Sequence, residues 1–266
     1  MIHEFKFDKI RLLYAEKDLG IRKSNDIIPN IELLSNPSTK ISPNQVSIFN
    51  SIRYGLEICN KSFLELKTQL LDLTKKTEYD LLEFPYIFLN AWTIINHSDI
   101  IYQIIKRMFP EINLEQNFKE ISKTRSVRNS MQHIDQRLGQ EVFENEFAIY
   151  GSLSWSVMNS KTNEMVISTI YSGNVSNKNK STMPMKEFVD KSDLQSEIQQ
   201  IELSYVNAKK NEGFIPETIN LKRVMVELKN LSELIIYELK TISKKYPEQH
   251  PTDIMINLKG ILERKK

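Results

Sequence analysis

Two apolar stripes at helical spacing constrain this chain more than any other feature. Phe49, Ile52, Leu56, Cys59, Phe63, Leu66, Leu70 and Leu73 recur every three or four residues without a break. That is the pattern of a long helix packing one face against other helices. Ile87, Ala91, Ile94, Ser98, Ile101, Ile105 and Met108 repeat it until Pro110 stops the run. Ser42 or Asn44 is placed to cap the first helix, and Pro85 suits the first turn of the second. A third helix is expected to run to about Leu138, with Gly139 as its stop. Leu221, Val224, Leu228, Leu231, Ile235, Leu239 and Ile242 mark a last long helix that ends before Pro247.

Between the third and last helices the period changes. Segments 147–158 and 164–171 are rich in β-branched and aromatic residues, and the turn-like Asn159-Ser160-Lys161-Thr162-Asn163 lies between them. These features predict a β-hairpin. Ile201 to Tyr205 reads as a further strand, and Gly173 to Thr182 as a loop. The expected organisation is an N-terminal extension (1–43), a helical bundle (44–138), a small β insertion (147–206), a last helix completing the bundle (219–245) and a tail (247–266). The fold class is mainly α, a helical bundle with a small β-hairpin or sheet insertion.

Composition narrows the function classes. The chain is 40% hydrophobic and 26% charged, which suits a packed globular protein. No apolar run reaches the roughly 18–20 residues that span a bilayer, and the first residues lack the apolar core of a signal peptide. Cys59 is the only cysteine, so an internal disulfide is impossible and a cytoplasmic location is expected. The net charge of +2 implies that any nucleic acid is held at a local patch. His3, His97, His133 and His250 show no ligand spacing, so neither a metal nor another cofactor is expected.

The segment from Thr124 to Leu138 carries the chemistry. At about 100° per residue, Val127, Met131, Ile134 and Leu138 fall within about 60° of one another. Arg125, Arg128, Asn129, Gln132, His133, Asp135 and Gln136 occupy a separate polar sector. Phe118 and Ile121 would land in that sector, so a helix break near Ser122–Thr124 is expected. Arg128 would then lie close to a helix N-terminus, where phosphate is favoured. Histidine suits proton transfer near neutral pH, and arginine's fork suits the charge of a phosphorane. Arg128 and His133 are therefore the candidate catalytic pair for metal-independent RNA cleavage, supported by Asn129, Gln132 and Asp135. Lys123, Arg125 and Arg137 make a basic patch for RNA. On one helix Arg128 and His133 diverge by about 140°, so two copies about a two-fold axis are needed to surround one phosphate.

Arg128-Asn129-x-x-x-His133 resembles the R-x(4–6)-H motif of HEPN domains, including the polar residue after the arginine. The resemblance covers 44–138 plus the last long helix. It implies a helical bundle that often dimerises into a composite ribonuclease site, with Arg128 and His133 catalytic and Asn129 supporting. It further implies a homodimer acting on RNA as a toxin or antiphage defence effector, with an antitoxin or defence-system protein as a further partner. Such toxins often carry a tyrosine two residues after the histidine; here that residue is Asp135, so inactivation through that tyrosine is not implied.

Simpler roles stand beside these. His133 can be an exposed helix histidine, and Arg128 can pair with Asp135 on the adjacent turn. Ser98 can be satisfied by a backbone carbonyl. Trp92 and Trp155 read as core or interface anchors, and Lys178 and Lys180 as solvated loop residues. The function is then a non-catalytic HEPN module binding nucleic acid or protein, or a helical scaffold.

Overall fold

The computed structural model describes residues 41–76, 80–108, 110, 114–132, 148–172, 193–209 and 213–245. The extension before residue 41 and the tail after 245 lie outside them, as do the loop 173–182, His133, Asp135 and Arg137. The described chain is mainly helical with a small four-stranded antiparallel sheet.

Helix α1 spans Pro43–Lys75, and its capping box uses Ser42 rather than Asn44. The Gln45 amide donates to Ser42 Oγ at 3.4 Å while Gln45 Oε1 accepts from the Ser42 amide at 3.3 Å, which satisfies two N-terminal donors at once. Every residue of the first apolar stripe is buried along α1. A 3-10 turn, Leu81–Glu83, leads into α2, Phe84–Met108. The two helices approach closely at Gly55, where a Cβ would meet Ile101 at 3.0 Å. A short α3 (Leu114–Asn117) precedes α4 (Lys119–Gln132).

Strands β1 (Ser152–Asn159), β2 (Met165–Tyr171), β3 (Leu194–Lys209) and β4 (Gly213–Asn220) pair in the order β2-β1-β3-β4. The β1–β2 hairpin forms as its β-branched and aromatic residues and its turn segment predict, from Ser152 opposite Tyr171 to Met158 opposite Met165. Asn159 Oδ1 accepts from the Lys161 and Thr162 amides, and Asn163 takes a left-handed φ of 58° that asparagine tolerates. Two features depart from expectation. The strand at 201–205 is part of a sixteen-residue β3, and β4 is an additional strand running straight into α5, Leu221–Lys245. Asn220 Oδ1 caps α5 by accepting from the Arg223 amide at 2.9 Å.

The sheet shares its core with the helices. Leu153, Trp155, Val157, Ile201 and Leu203 belong to one buried cluster with α1, α2 and α5. Both tryptophans fasten this junction, as anchors. The Trp155 indole donates to Thr74 Oγ1 of α1 at 2.7 Å, and the Trp92 indole of α2 donates to the Tyr150 carbonyl at 3.2 Å. Gly151 follows at φ +86°, and a Cβ there would sit 2.4 Å from the Ser204 carbonyl oxygen. Only glycine fits such a site. The opposite sheet face is hydroxyl-rich, with Ser154 against Thr169 and Ser204 against Thr218.

Candidate functional site

Helix α4 carries Arg128 and Asn129 of the motif and is held from both sides, by α2 on one and by β3, β4 and α5 on the other. It is continuous from Lys119 to Gln132, so the break expected near Ser122–Thr124 does not occur. Burial on two sides is the reason. With Val127 as reference, buried Ser130, Thr124 and Ile121 spread over about 180° of the helix, far wider than a single stripe. Phe118 lies before the helix and is buried independently of its period.

Arg128 is consequently not near a helix N-terminus. Nine residues separate it from Lys119, about 14 Å along the axis. Two of its N-terminal donors are already taken, because Glu227 of α5 accepts from the Glu120 amide at 3.1 Å and the Ile121 amide at 2.9 Å. Glu120 in turn accepts from the Asn220 amide at 3.1 Å and from Lys123 Nζ at 2.7 Å. The start of α4 is thus clamped to the β4–α5 junction by carboxylates.

Burial raises the Glu227 pKa above the ordinary carboxylate value, outweighing the two amide donors that lower it. The folded state therefore holds this proton more tightly than the unfolded chain does. Glu227 contributes most stability below the unfolded carboxylate pKa, and that contribution is lost as pH rises through the raised folded value. In urea titrations, the stability of wild type relative to Glu227→Gln should be greatest near about pH 4 and should decline towards neutrality. A margin that widens with pH would mean that the amide donors outweigh burial.

The guanidinium of Arg128 meets Asp99 of α2, with Nη1 donating to Oδ2 at 2.8 Å. Asp99 is 0% exposed, whereas the Arg128 side chain keeps 29% exposure. Gln103 Nε2 donates to Asp99 Oδ1 at 3.1 Å, so both carboxylate oxygens are occupied. A buried carboxylate is retained only when paired in this way. Arg128 has more donors than this bond uses, and its side chain as a whole is half-buried. Asp99 is its described partner, and Asp135, the partner expected on the adjacent turn, lies outside the described residues.

Asp99 was legible as an anomaly. Phe88, Trp92, Ile95, Asp99 and Tyr102 form a second 4-3-4-3 stripe on α2, with one charge among apolar residues. A charge in such a stripe demands a partner on the facing element.

Around Arg128, the exposed Arg125, Asn129 and Gln132 share one sector of α4 about 100° wide. Lys123 does not join them. It lies about 140° round the helix from Arg128 and pairs with Glu120 in the clamp. His133, Asp135 and Arg137 lie beyond the described end of α4.

Two other reactive side chains are accounted for. Cys59 Sγ lies 3.7 Å from the Ile94 carbonyl and 3.8 Å from Ser98 Oγ, and burial pushes its pKa up to about 12. The thiol is a core group, and Ser98 is fully buried beside it. Burial also lowers the pKa of half-buried His97. Among the described residues no group of three or more His, Cys, Asp or Glu could hold a metal ion, and no helix is long and apolar enough to cross a membrane. Comparison with known proteins finds no matching family model, curated protein or solved structure.

Proposed function

We propose that this chain is a HEPN-type endoribonuclease that cleaves RNA without a metal, at a composite site built from two copies. The observation that carries the reading is Arg128 itself. A fully buried aspartate holds the guanidinium of an arginine whose side chain keeps 29% exposure, in the same sector as Arg125, Asn129 and Gln132. A cation held in place in this way is the device that stabilises developing charge on phosphate.

In the proposed reaction the ribose 2′-hydroxyl attacks the adjacent phosphorus while His133 takes its proton. Arg128 stabilises the phosphorane, and the departing 5′-oxygen receives a proton from a second histidine. The products are a 2′,3′-cyclic phosphate and a 5′-hydroxyl. Arg125 would hold the flanking backbone. The motif resemblance places such an enzyme among toxins or antiphage defence effectors, with an antitoxin or defence-system protein as a further partner.

The expected result is that His133→Ala lowers cleavage by at least about 100-fold without changing the melting temperature. Wild-type cleavage should persist in excess chelator and leave cyclic phosphate ends. Cleavage by His133→Ala at the wild-type rate, or 3′-hydroxyl ends, would rule the mechanism out. The Arg128–Asp99 bond equally suits a structural ion pair, which favours a non-catalytic HEPN module as the second reading. Wild-type protein that binds RNA and never cleaves it would establish that one.

A further inference from the structure

Gln103 shares the buried carboxylate of Asp99 with Arg128. It lies one turn beyond Asp99 on α2 and donates from Nε2 to Oδ1 at 3.1 Å, while Arg128 takes Oδ2 at 2.8 Å. The Asp99 side chain is 0% exposed, so solvent supplies neither bond. An arginine facing a free carboxylate frequently grips both oxygens through two parallel N–H bonds. Here Gln103 already occupies one oxygen, and a single bond from Nη1 joins Arg128 to the other. The remaining N–H donors of Arg128 meet no acceptor among the described residues.

We propose that Gln103 is a positioning residue: by occupying Oδ1 of Asp99 it stops Arg128 from closing both arms of its fork on that carboxylate. Its consequence for catalysis rests on the ribonuclease reading, because a guanidinium fully engaged by Asp99 is not free to meet a phosphorane. Two requirements on such a cation conflict. A buried counter-charge is needed to fix it, and the same counter-charge competes with phosphate for its donors. One neutral amide donor resolves the conflict. It satisfies the second oxygen without adding a charge, and it leaves Arg128 anchored through one nitrogen.

An aspartate and a glutamine four residues apart also support a helix by their mutual hydrogen bond alone. On that account Gln103 matters to the stability of α2 and to nothing else. The two accounts part over the fate of Oδ1. A buried carboxylate oxygen left without a donor is costly, and Arg128, already bonded to the other oxygen of the same group, carries spare N–H donors. Loss of Gln103 therefore turns the single bond into a bidentate pair, and Arg128 becomes more tightly held rather than looser.

Gln103→Met keeps the length of the side chain and removes the donor, and two measurements on the full chain read the result. In nitrogen-edited NMR, rotation of the Arg128 guanidinium about its Cζ–Nε bond reports how firmly the fork is held, and Arg128→Lys identifies the signal by its loss. Rotation should slow by about tenfold or more in Gln103→Met, because a second charge-assisted bond must break before the group turns. In RNA cleavage, kcat should fall by roughly tenfold, short of the 10²–10³-fold expected when such a donor is lost altogether. KM should keep its wild-type value, since Arg125 and not Arg128 holds the flanking backbone. If Gln103→Met does not fold, Gln103→Leu takes its place in both measurements. A guanidinium that turns as fast as in wild type, or faster, overturns the proposal, and so does slowed rotation with undiminished cleavage. Slowed rotation in the variant of a protein whose wild type cleaves no RNA supports the role of Gln103 and sinks the ribonuclease reading.

Discussion

Replacing Arg128 with alanine is expected to destabilise the fold as well as the site. Asp99 is fully buried and would lose its only cationic partner among the described residues, keeping the bond from Gln103. Removing one member of a buried pair costs about 3–5 kcal/mol. The partial exposure of Arg128 lets water reach the vacated space, so the lower end of that range applies. Asp99→Ala should cost less, because a half-exposed guanidinium can turn to solvent. The double variant should be more stable than the two single losses added together predict. Urea denaturation of the four proteins checks this ordering, and an Arg128→Ala protein as stable as wild type would show that the pair does not form. The consequence for activity assays is direct. Lost cleavage in Arg128→Ala mixes chemistry with unfolding, whereas Arg128→Lys keeps a cation against Asp99 and removes the fork. In a well-folded Arg128→Lys protein, cleavage should fall by about 10²–10³-fold.

Trp155→Ala should produce the other large effect. The indole is buried between sheet and helices and donates to Thr74 Oγ1. Truncating a buried aromatic of this size costs about 3–5 kcal/mol through lost burial and the cavity left behind. Trp155→Phe should recover most of that and lose about 1 kcal/mol with the hydrogen bond. Because the sheet and helices share one core, both should unfold in one transition at a lower urea midpoint. A Trp155→Ala protein whose helices keep the wild-type midpoint while the strands lose protection from hydrogen exchange would show that the sheet is a separate unit.

These two sites differ in how far the sequence revealed them. The stripes of α1, α2 and α5 and the β1–β2 hairpin rest on local periodicity, which is written in neighbouring residues. A cap at Ser42 or Asn44 and the anchoring roles of Trp92 and Trp155 were legible too, and the structure selects Ser42. The environment of α4 was not. Its apolar residues follow no single stripe because it is buried on two sides, and a wheel built on one face displaces Ile121 into a polar sector. The partners that hold it are remote in the chain. Arg128 reaches back 29 residues to Asp99, and Glu227 reaches back 106 to the Ile121 amide. Strand β4 was missed for a related reason, since Pro216 interrupts a short segment that becomes a strand by pairing with β3 at the sheet edge, where proline is tolerated. The sequence alone thus determined the long helices α1, α2 and α5 and that Arg128 lies on a polar helix face. Tertiary structure decided what Arg128 is bonded to, because a buried charge is defined by what packs against it.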